Sequence, residues 1–282
     1  MGSIKIFADS TCDLPPEWIE EYRIGIVPLY VTFSENTYKD GVDLNTPGLY
    51  RKVSETGKLP KTAAPSPADF IQAFTPFVEE GQQILYISLS SELSSTYQNA
   101  LIASEEFPDG QVTVFDSLNL STGIGLQVMK AVHAASEGLS IPEIVKLLHN
   151  TRPQVETEFV IDSLDYLYKG GRCSGMQNLV GSLLKIRPVI KVIDGKMTPA
   201  YKIRGSREKA LDQLLNNALS HLSEMDNDII FVTHSLADED AVHLKQALEA
   251  KTQARIVATS NAGCVISSHC GAKTIGILYT KK

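Results

Sequence analysis

Hydroxyl side chains crowd the ends of the β-rich runs in the first half of the chain. Lys5–Ala8 runs into Asp9-Ser10-Thr11, and Ile84–Leu89 into SLSSELSSTYQNA, which carries Ser88, Ser90, Ser91, Ser94, Ser95 and Thr96. Val112–Phe115 runs into Asp116-Ser117, and Ser121-Thr122-Gly123 opens the helical pattern behind it. Thr62 and Ser66, in KTAAPSPADF, lie on a loop entering another helix. In open α/β sheets, ligands bind beyond the carboxyl ends of the strands. Neutral donors beside helix N-termini suit a small anion, carboxylate or phosphate, because free N–H groups and the helix dipole favour negative charge there. The same residues also serve as ordinary caps and turn formers, so no single serine carries this reading. The dense Ser88–Thr96 cluster carries it furthest.

Lys169-Gly170-Gly171-Arg172 adds a second feature. Paired glycines permit backbone conformations or close approaches closed to other residues, and the arginine after them is placed to bind an oxyanion. Other chemistries are less complete. Ser94 or Ser95, His269 or His234, and Asp116 supply the types of a hydrolytic triad, without a G-x-S-x-G elbow. Gly123-Ile124-Gly125-Leu126-Gln127-Val128 has two glycines of a dinucleotide fingerprint but valine at the third, and Gly271-Ala272-Lys273-Thr274 falls short of a P-loop. Cys264, His269 and Cys270 are near in sequence, yet no CxxC pair or second cluster closes a tetrahedral metal site. Neither cofactor nor metal is expected. Cys12 and Cys173 read as small packing residues, and His133, His149, His221 and His243 as surface or boundary residues of helices.

These groups need a scaffold, and the chain is long enough for one. Its 282 residues fit one large domain or, better, two. Hydrophobic content of 43% with 21% charged residues argues for a globular fold. A net charge of −7 argues against sequence-independent nucleic-acid binding and against polybasic attachment to anionic lipid. Four scattered cysteines do not make a disulfide framework. The chain enters a strand-like segment almost at once, without an apolar leader, and no run reaches the roughly 18–20 apolar residues that span a bilayer. An intracellular, soluble, cytoplasmic protein without stable membrane insertion is expected.

Strands at Lys5–Ala8, Ile26–Phe33, Ile84–Leu89 and Val112–Phe115 alternate with helices. One helix follows Asp13 and Pro15-Pro16, one is capped by Thr46, one opens at Ser66-Pro67-Ala68-Asp69, and one at Ser140-Ile141-Pro142-Glu143. That alternation predicts βαβ crossovers and a mostly parallel sheet flanked by helices. The second half mixes a strand near Glu158–Ile161, a short helix, and a helix after Gly171 ending by Arg187-Pro188. A hairpin follows, Val189–Ile193 and Lys196–Tyr201 around Asp194-Gly195, so this sheet has antiparallel parts. Helices Ser206–Leu222 and Asp238–Leu248, with strands Ile229–Thr233, Arg255–Ala258 and Thr274–Tyr279, complete the chain. The expected fold is α/β in two domains, residues 1–155 and 156–282, with the last strand free to return to the first domain.

Several ordered blocks resemble the bacterial DegV family: FADSTCDLP, VPLYVTF with KDGVDL, KTAAPSPADF, SLSSELSSTYQNA, VFDSLNLSTGIGLQV, YLYKGGRCSGMQNLVGSLLKIRPVIKVIDGKM and VISSHCGAKTIGILY. The resemblance implies a two-domain α/β protein enclosing one long-chain fatty acid as ligand between the domains, similar to the fatty-acid-binding subunit of bacterial fatty acid kinase. In that system a separate ATP-dependent kinase subunit phosphorylates the carboxylate, and the acyl phosphate enters phospholipid synthesis. The chain is then a non-catalytic lipid-binding protein. The resemblance places carboxylate binding at Thr62 and Ser94 and head-group or phosphotransfer support at Arg172 and His269, with Ser95 and Ser10 beside them.

Residue chemistry is compatible with this. Hydroxyl donors leave a carboxylate nucleophilic, whereas a buried bidentate arginine would hold it tightly and quench it. Tail burial contributes roughly 0.8 kcal/mol per methylene, so a long chain is retained without a salt bridge. Two departures bear on the head group. The family's usual serine-glutamine after the first threonine is Ala63-Ala64, and its usual glycine-proline-glycine after the late histidine is Gly271-Ala272-Lys273, where the lysine could add positive charge. The alternative from the residues alone is an autonomous serine hydrolase acting on an acyl ester through Ser94 or Ser95.

Overall fold

The computed structural model describes residues 3–173 and 186–282. Strands β1 (Ile4–Asp9), β2 (Gly25–Val27), β6 (Gln83–Ser88) and β7 (Val112–Asp116) form an all-parallel sheet in the order β2-β1-β6-β7. Their period-two alternation divides the core. Phe7, Ile84 and Tyr86 pack with Phe70 and Phe74 of α3 (Pro67–Glu79) and Ala100 and Ala103 of α4 (Thr96–Ser104). Ile6, Ala8, Leu85 and Ile87 join Ile124, Val128 and Met129 of α5 (Thr122–Ser136).

Helix α1 (Pro16–Glu21) precedes β2, and between β2 and β6 stand a small antiparallel sheet, α2 (Thr46–Thr56) and α3. The small sheet holds β3 (Tyr30–Phe33), β4 (Asn36–Lys39) and β5 (Lys61–Ala63), in the order β4-β3-β5. The single strand expected over Ile26–Phe33 is therefore two strands in two sheets. Pro28 lies at the break and lacks the N–H that a continuous ladder needs. The cap expected at Thr46 is supplied by Asn45, whose Oδ1 accepts from Gly48 N–H at 3.0 Å. Ser66 and Asp69 form the expected capping box, and Glu143 reaches back to Ser140 N–H at 2.8 Å at the start of α6 (Ile141–Thr151).

The second sheet is mixed. It contains β8 (Val155–Val160), β9 (Ile186–Ile193), β10 (Lys196–Arg204), β11 (Met225–Ser235), β12 (Ile256–Asn261) and β13 (Thr274–Lys281), in the order β10-β9-β8-β13-β11-β12. Only β11–β12 is parallel among these pairs. The last strand lies inside this sheet, between β8 and β11, and does not return to the first. The Asp194-Gly195 hairpin forms as expected. The helix expected after Gly171 falls on residues outside those described, and Arg187-Pro188, expected at its end, lie in β9. Helices α8 (Arg207–Ser220) and α9 (Asp238–Lys251) cover one face of the sheet through Val189, Ile230, Val232 and Ile277.

The opposite face turns toward α5, which packs between the two sheets. Residues 122–129 of α5 are all buried, the pattern of a helix covered on every side. Glycine permits the approach: a Cβ at Gly123 would lie 2.1 Å from Asn119 Oδ1 and 2.8 Å from Thr157 Oγ1 of β8. The glycines that read as a partial dinucleotide fingerprint are thus packing residues. Two short helices complete the chain: α7 (Leu164–Gly170), and α10 (Cys264–Cys270), which sequence patterning does not predict.

Candidate functional site

A cavity of about 450 Å³ opens between residues of both halves. Leu29, Leu89, Leu120, Phe159, Met197 and Leu278 supply much of its apolar wall. Thr157, Thr233 and Thr274 also line it, but their hydroxyls are engaged with Asn119 Oδ1, Thr122 Oγ1 and Cys270 O respectively. Engaged hydroxyls present little free hydrogen-bonding capacity, so this wall accommodates hydrocarbon.

Five of the six residues singled out from sequence meet here: Thr62, Ser94, Ser95, Arg172 and His269 all line the cavity. Thr62, Ser94 and His269 are half-buried, whereas Ser95 and Arg172 are exposed, which places this polar group at the rim. Strand β5 fixes Thr62 opposite Val31, and the last turn of α10 presents His269. Their side chains meet, Thr62 Oγ1 to His269 Nε2, at 2.8 Å. Ser94 follows β6 in the loop before α4. Its Oγ accepts from Thr96 N–H at 3.2 Å and lies 2.8 Å from Thr96 Oγ1.

The other ring nitrogen of His269 has a different environment. Nδ1 is buried without a partner among the described residues, against Gly170. A Cβ on Gly170 would approach this nitrogen to 2.5 Å, so the first glycine of the Lys169–Arg172 motif makes room for the ring. Burial, with a smaller contribution from the nearby Arg172 charge, pushes the imidazole down to about 4. His269 is therefore neutral near pH 7. Arg172 donates from Nη1 to Gly170 O at 2.8 Å, which ties its guanidinium to the same turn.

Ser10 does not join the rim. Its Oγ donates to Asp40 at 3.0 Å and accepts from Leu29 N–H at 3.1 Å. Lys273, which could have added charge to the head-group region, is absent from the wall; its N–H donates to Ser235 O and its carbonyl accepts from Arg207. Ala63 and Ala64 do line the cavity. The groups of the hydrolytic alternative do not assemble. Ser94 bonds Thr96, His269 bonds Thr62, His234 Nδ1 accepts from Ala237 N–H at 3.2 Å, and Asp116 accepts from Ser91 and Leu118 N–H. His234 also lines the cavity, although strand alternation in β11 puts its side chain on the face opposite Thr233 and Ser235. No group of three or more histidine, cysteine or acidic side chains suited to a metal occurs among the described residues.

Sequence reasoning missed Asp9, Asp13 and Asp40, three carboxylates buried near the cavity. Asp9 accepts from Thr11 N–H and Oγ1, Tyr86 Oη and Leu89 N–H. Desolvation raises the pKa of all three carboxyls, partly offset by the hydrogen bonds each accepts, for Asp13 from Ser121 and Gly263 and for Asp40 from Cys264, Ser10 and Val265. The local signal for Asp9 and Asp13 was an acidic residue at each end of Asp9-Ser10-Thr11-Cys12-Asp13, and Asp40 had none.

The cavity is mainly apolar, with the hydroxyls of Thr62 and Ser94, the neutral His269 and the Arg172 guanidinium at its rim, in an α/β protein of two sheets. Comparison with known proteins names the family. A profile described as "Uncharacterised protein, DegV family" matches residues 3–282, and the chain belongs to the DegV family. It is 33% identical, across the whole of both chains, to a DegV domain-containing protein of Caldanaerobacter subterraneus. It is also 33% identical to a fatty acid-binding protein of Thermotoga maritima, over 97% of this chain and 96% of that one. The structure of a fatty-acid-binding DegV family protein from Thermus thermophilus superimposes with a TM-score of 0.92 at 30% identity, covering 99% of this chain and all of the other. Among the described residues no helix is long and apolar enough to cross a membrane.

Proposed function

We propose that this protein holds a long-chain fatty acid with its tail in the cavity and its carboxylate at Thr62, Ser94 and His269. It then presents that carboxylate to a separate ATP-dependent kinase subunit. The observation that carries the reading is the Thr62–His269 contact at the rim of an apolar cavity. With Nδ1 packed against Gly170, the imidazole proton resides on Nε2 and is donated to Thr62 Oγ1. The Thr62 hydroxyl is then free to donate to a carboxylate oxygen. A neutral relay of this kind orients the anion without neutralising it, so the oxygen remains a nucleophile.

In this reading the phosphorylation is a single displacement. A carboxylate oxygen attacks the γ-phosphorus of ATP on the kinase, the bond to the β-phosphate oxygen breaks, and acyl phosphate and ADP result. Arg172, exposed at the rim, is positioned to offset charge on the transferring phosphoryl oxygens. The kinase subunit provides the nucleotide site and this chain provides the acceptor, a binding role and not a catalytic one.

Native mass spectrometry of protein purified from cells should show one fatty acid per chain. With ATP and the kinase subunit, hydroxylamine should trap the product as a fatty hydroxamate. A chain that retains no long-chain acid overturns the binding role, and retention without hydroxamate overturns the presentation step.

A further inference from the structure

Helix α10 begins without a cap of its own. Its N-cap is Gly263, and no neighbouring side chain accepts from its first turn. The first N–H groups of a helix have no partner inside it and must find one elsewhere. Here they find carboxylates from more than 220 residues earlier in the chain. Gly263 N–H donates to Asp13 Oδ1 at 2.8 Å, Cys264 N–H to Asp40 Oδ1 at 2.7 Å, and Val265 N–H to Asp40 Oδ2 at 3.4 Å. The remaining oxygen of Asp13 accepts from Ser121 Oγ at 2.5 Å, and Asp40 Oδ2 also accepts from Ser10 Oγ.

The two carboxylates close on the same point. A Cβ on Gly263 would stand 3.1 Å from Asp40 Oδ2 and 3.2 Å from Asp13 Oδ1. Asp13 and Asp40 are only 5% and 2% exposed, and neither has an ion-pair partner among the described residues. Two buried acidic groups without a cation are costly, and burial raises the pKa of both, so a neutral cap would serve mere folding better. Charge-assisted bonds to helix N–H groups, aligned with the dipole, are stiffer and more directional than neutral ones. From Cys264 to His269 the helix rises about 8 Å, so its far end follows any change at its start.

We infer that Asp13 and Asp40 are positioning residues: they clamp the start of α10 to the first half of the chain and so set His269 against Thr62. The inference rests on the fatty-acid reading of the rim. Their function is exerted through His269 and reaches only the head group of the ligand, never its tail.

The test compares oleic acid with oleyl alcohol, which share a tail and differ in the head, in Asp40→Ala and Asp40→Asn. Asp40→Ala should weaken oleic acid about tenfold and oleyl alcohol less than about twofold, the scale of one or two lost hydrogen bonds. Asp40→Asn keeps one acceptor for Cys264 N–H and should lose about threefold for oleic acid alone. In a His269→Ala background the further effect of Asp40→Asn should vanish. Equal losses for acid and alcohol, or an undiminished loss without His269, overturn the clamp and leave a purely structural tie. If Asp40→Ala does not fold, Asp40→Asn and Asp13→Asn carry the same comparison.

A readout without ligand separates this inference from the reading beneath it. NMR titration of the His269 ring should give about 4 in the native chain. In Asp40→Asn it should move toward its ordinary value of 6.5. An unmoved His269 overturns the clamp even where oleic acid binds. Native protein that binds neither ligand overturns the fatty-acid reading, while a moved His269 still supports the clamp.

Discussion

Two polar clusters at strand ends, close in the fold, differ in what surrounds them. At the rim, Thr62, Ser94 and His269 are half-buried and neutral, with Arg172 exposed beside them. In the interior, Asp9, Asp13 and Asp40 are buried carboxylates whose oxygens are occupied by backbone and hydroxyl donors. The rim groups bond one another or their near neighbours at the cavity wall, and the interior carboxylates bond the protein packed around them. Residue type does not separate the two, since Ser10 and Ser94 both follow a parallel strand. Access to the cavity does: Ser94 lines it and Ser10 does not.

The largest effect should come from the interior. Asp9→Ala strands four buried donors, and should cost about 4 kcal/mol in urea unfolding followed by Trp18 fluorescence. A loss below about 1 kcal/mol would erase the distinction drawn here.

At the rim, Gly170→Ala should leave the fold intact, since alanine suits a helix end better than glycine. The added methyl must displace the His269 ring, and affinity for oleic acid should fall about tenfold, read by titration calorimetry. Unchanged affinity would remove His269 from the head-group site.

Acidification sharpens the comparison, because the clusters respond with opposite sign. His269 titrates at about 4 when folded against 6.5 ordinarily, so below 6.5 the unfolded chain binds the extra proton. Its contribution to stability is therefore lost as pH falls from 6.5 toward 4. Asp13 is raised, so the folded chain binds a proton that the unfolded chain releases, and its contribution grows as pH falls toward the ordinary carboxylate range. In urea midpoints measured across that interval, His269→Ala should lose less stability than the native chain on acidification. Asp13→Asn should lose more. The reverse order would show that the burial of one group is misassigned.

The smallest effects make the finest contrast. Ser94→Ala should weaken oleic acid by about 1 kcal/mol without changing stability, and Ser10→Ala should cost about 1 kcal/mol of stability without changing affinity. Identical phenotypes would mean that the two serines share one role.

Much of this protein was legible in its sequence. The capping residues Ser66 and Ser140, the Asp194-Gly195 hairpin, and the alternation of strands and helices are local signals, and each acts on its own neighbours. The parallel first sheet and mixed second sheet follow from them. The split of Ile26–Phe33 was signalled by Pro28, although apolar continuity obscured it. Helix α10 was not legible, because it has seven residues, too few to show a period, and a glycine where a capping side chain would announce it.

Local chemistry alone determined that hydroxyls stand at the strand ends and that Gly170 and Gly171 precede an arginine. It could not determine which hydroxyls are free, because a hydrogen bond to a partner distant in sequence leaves no local trace. Thr62 and His269 are 207 positions apart, and Asp40 and Cys264 are 224 apart. Only the packing of α5 between the sheets, and of α10 against the first half, decided that the former pair faces the cavity while the latter pair is sealed inside.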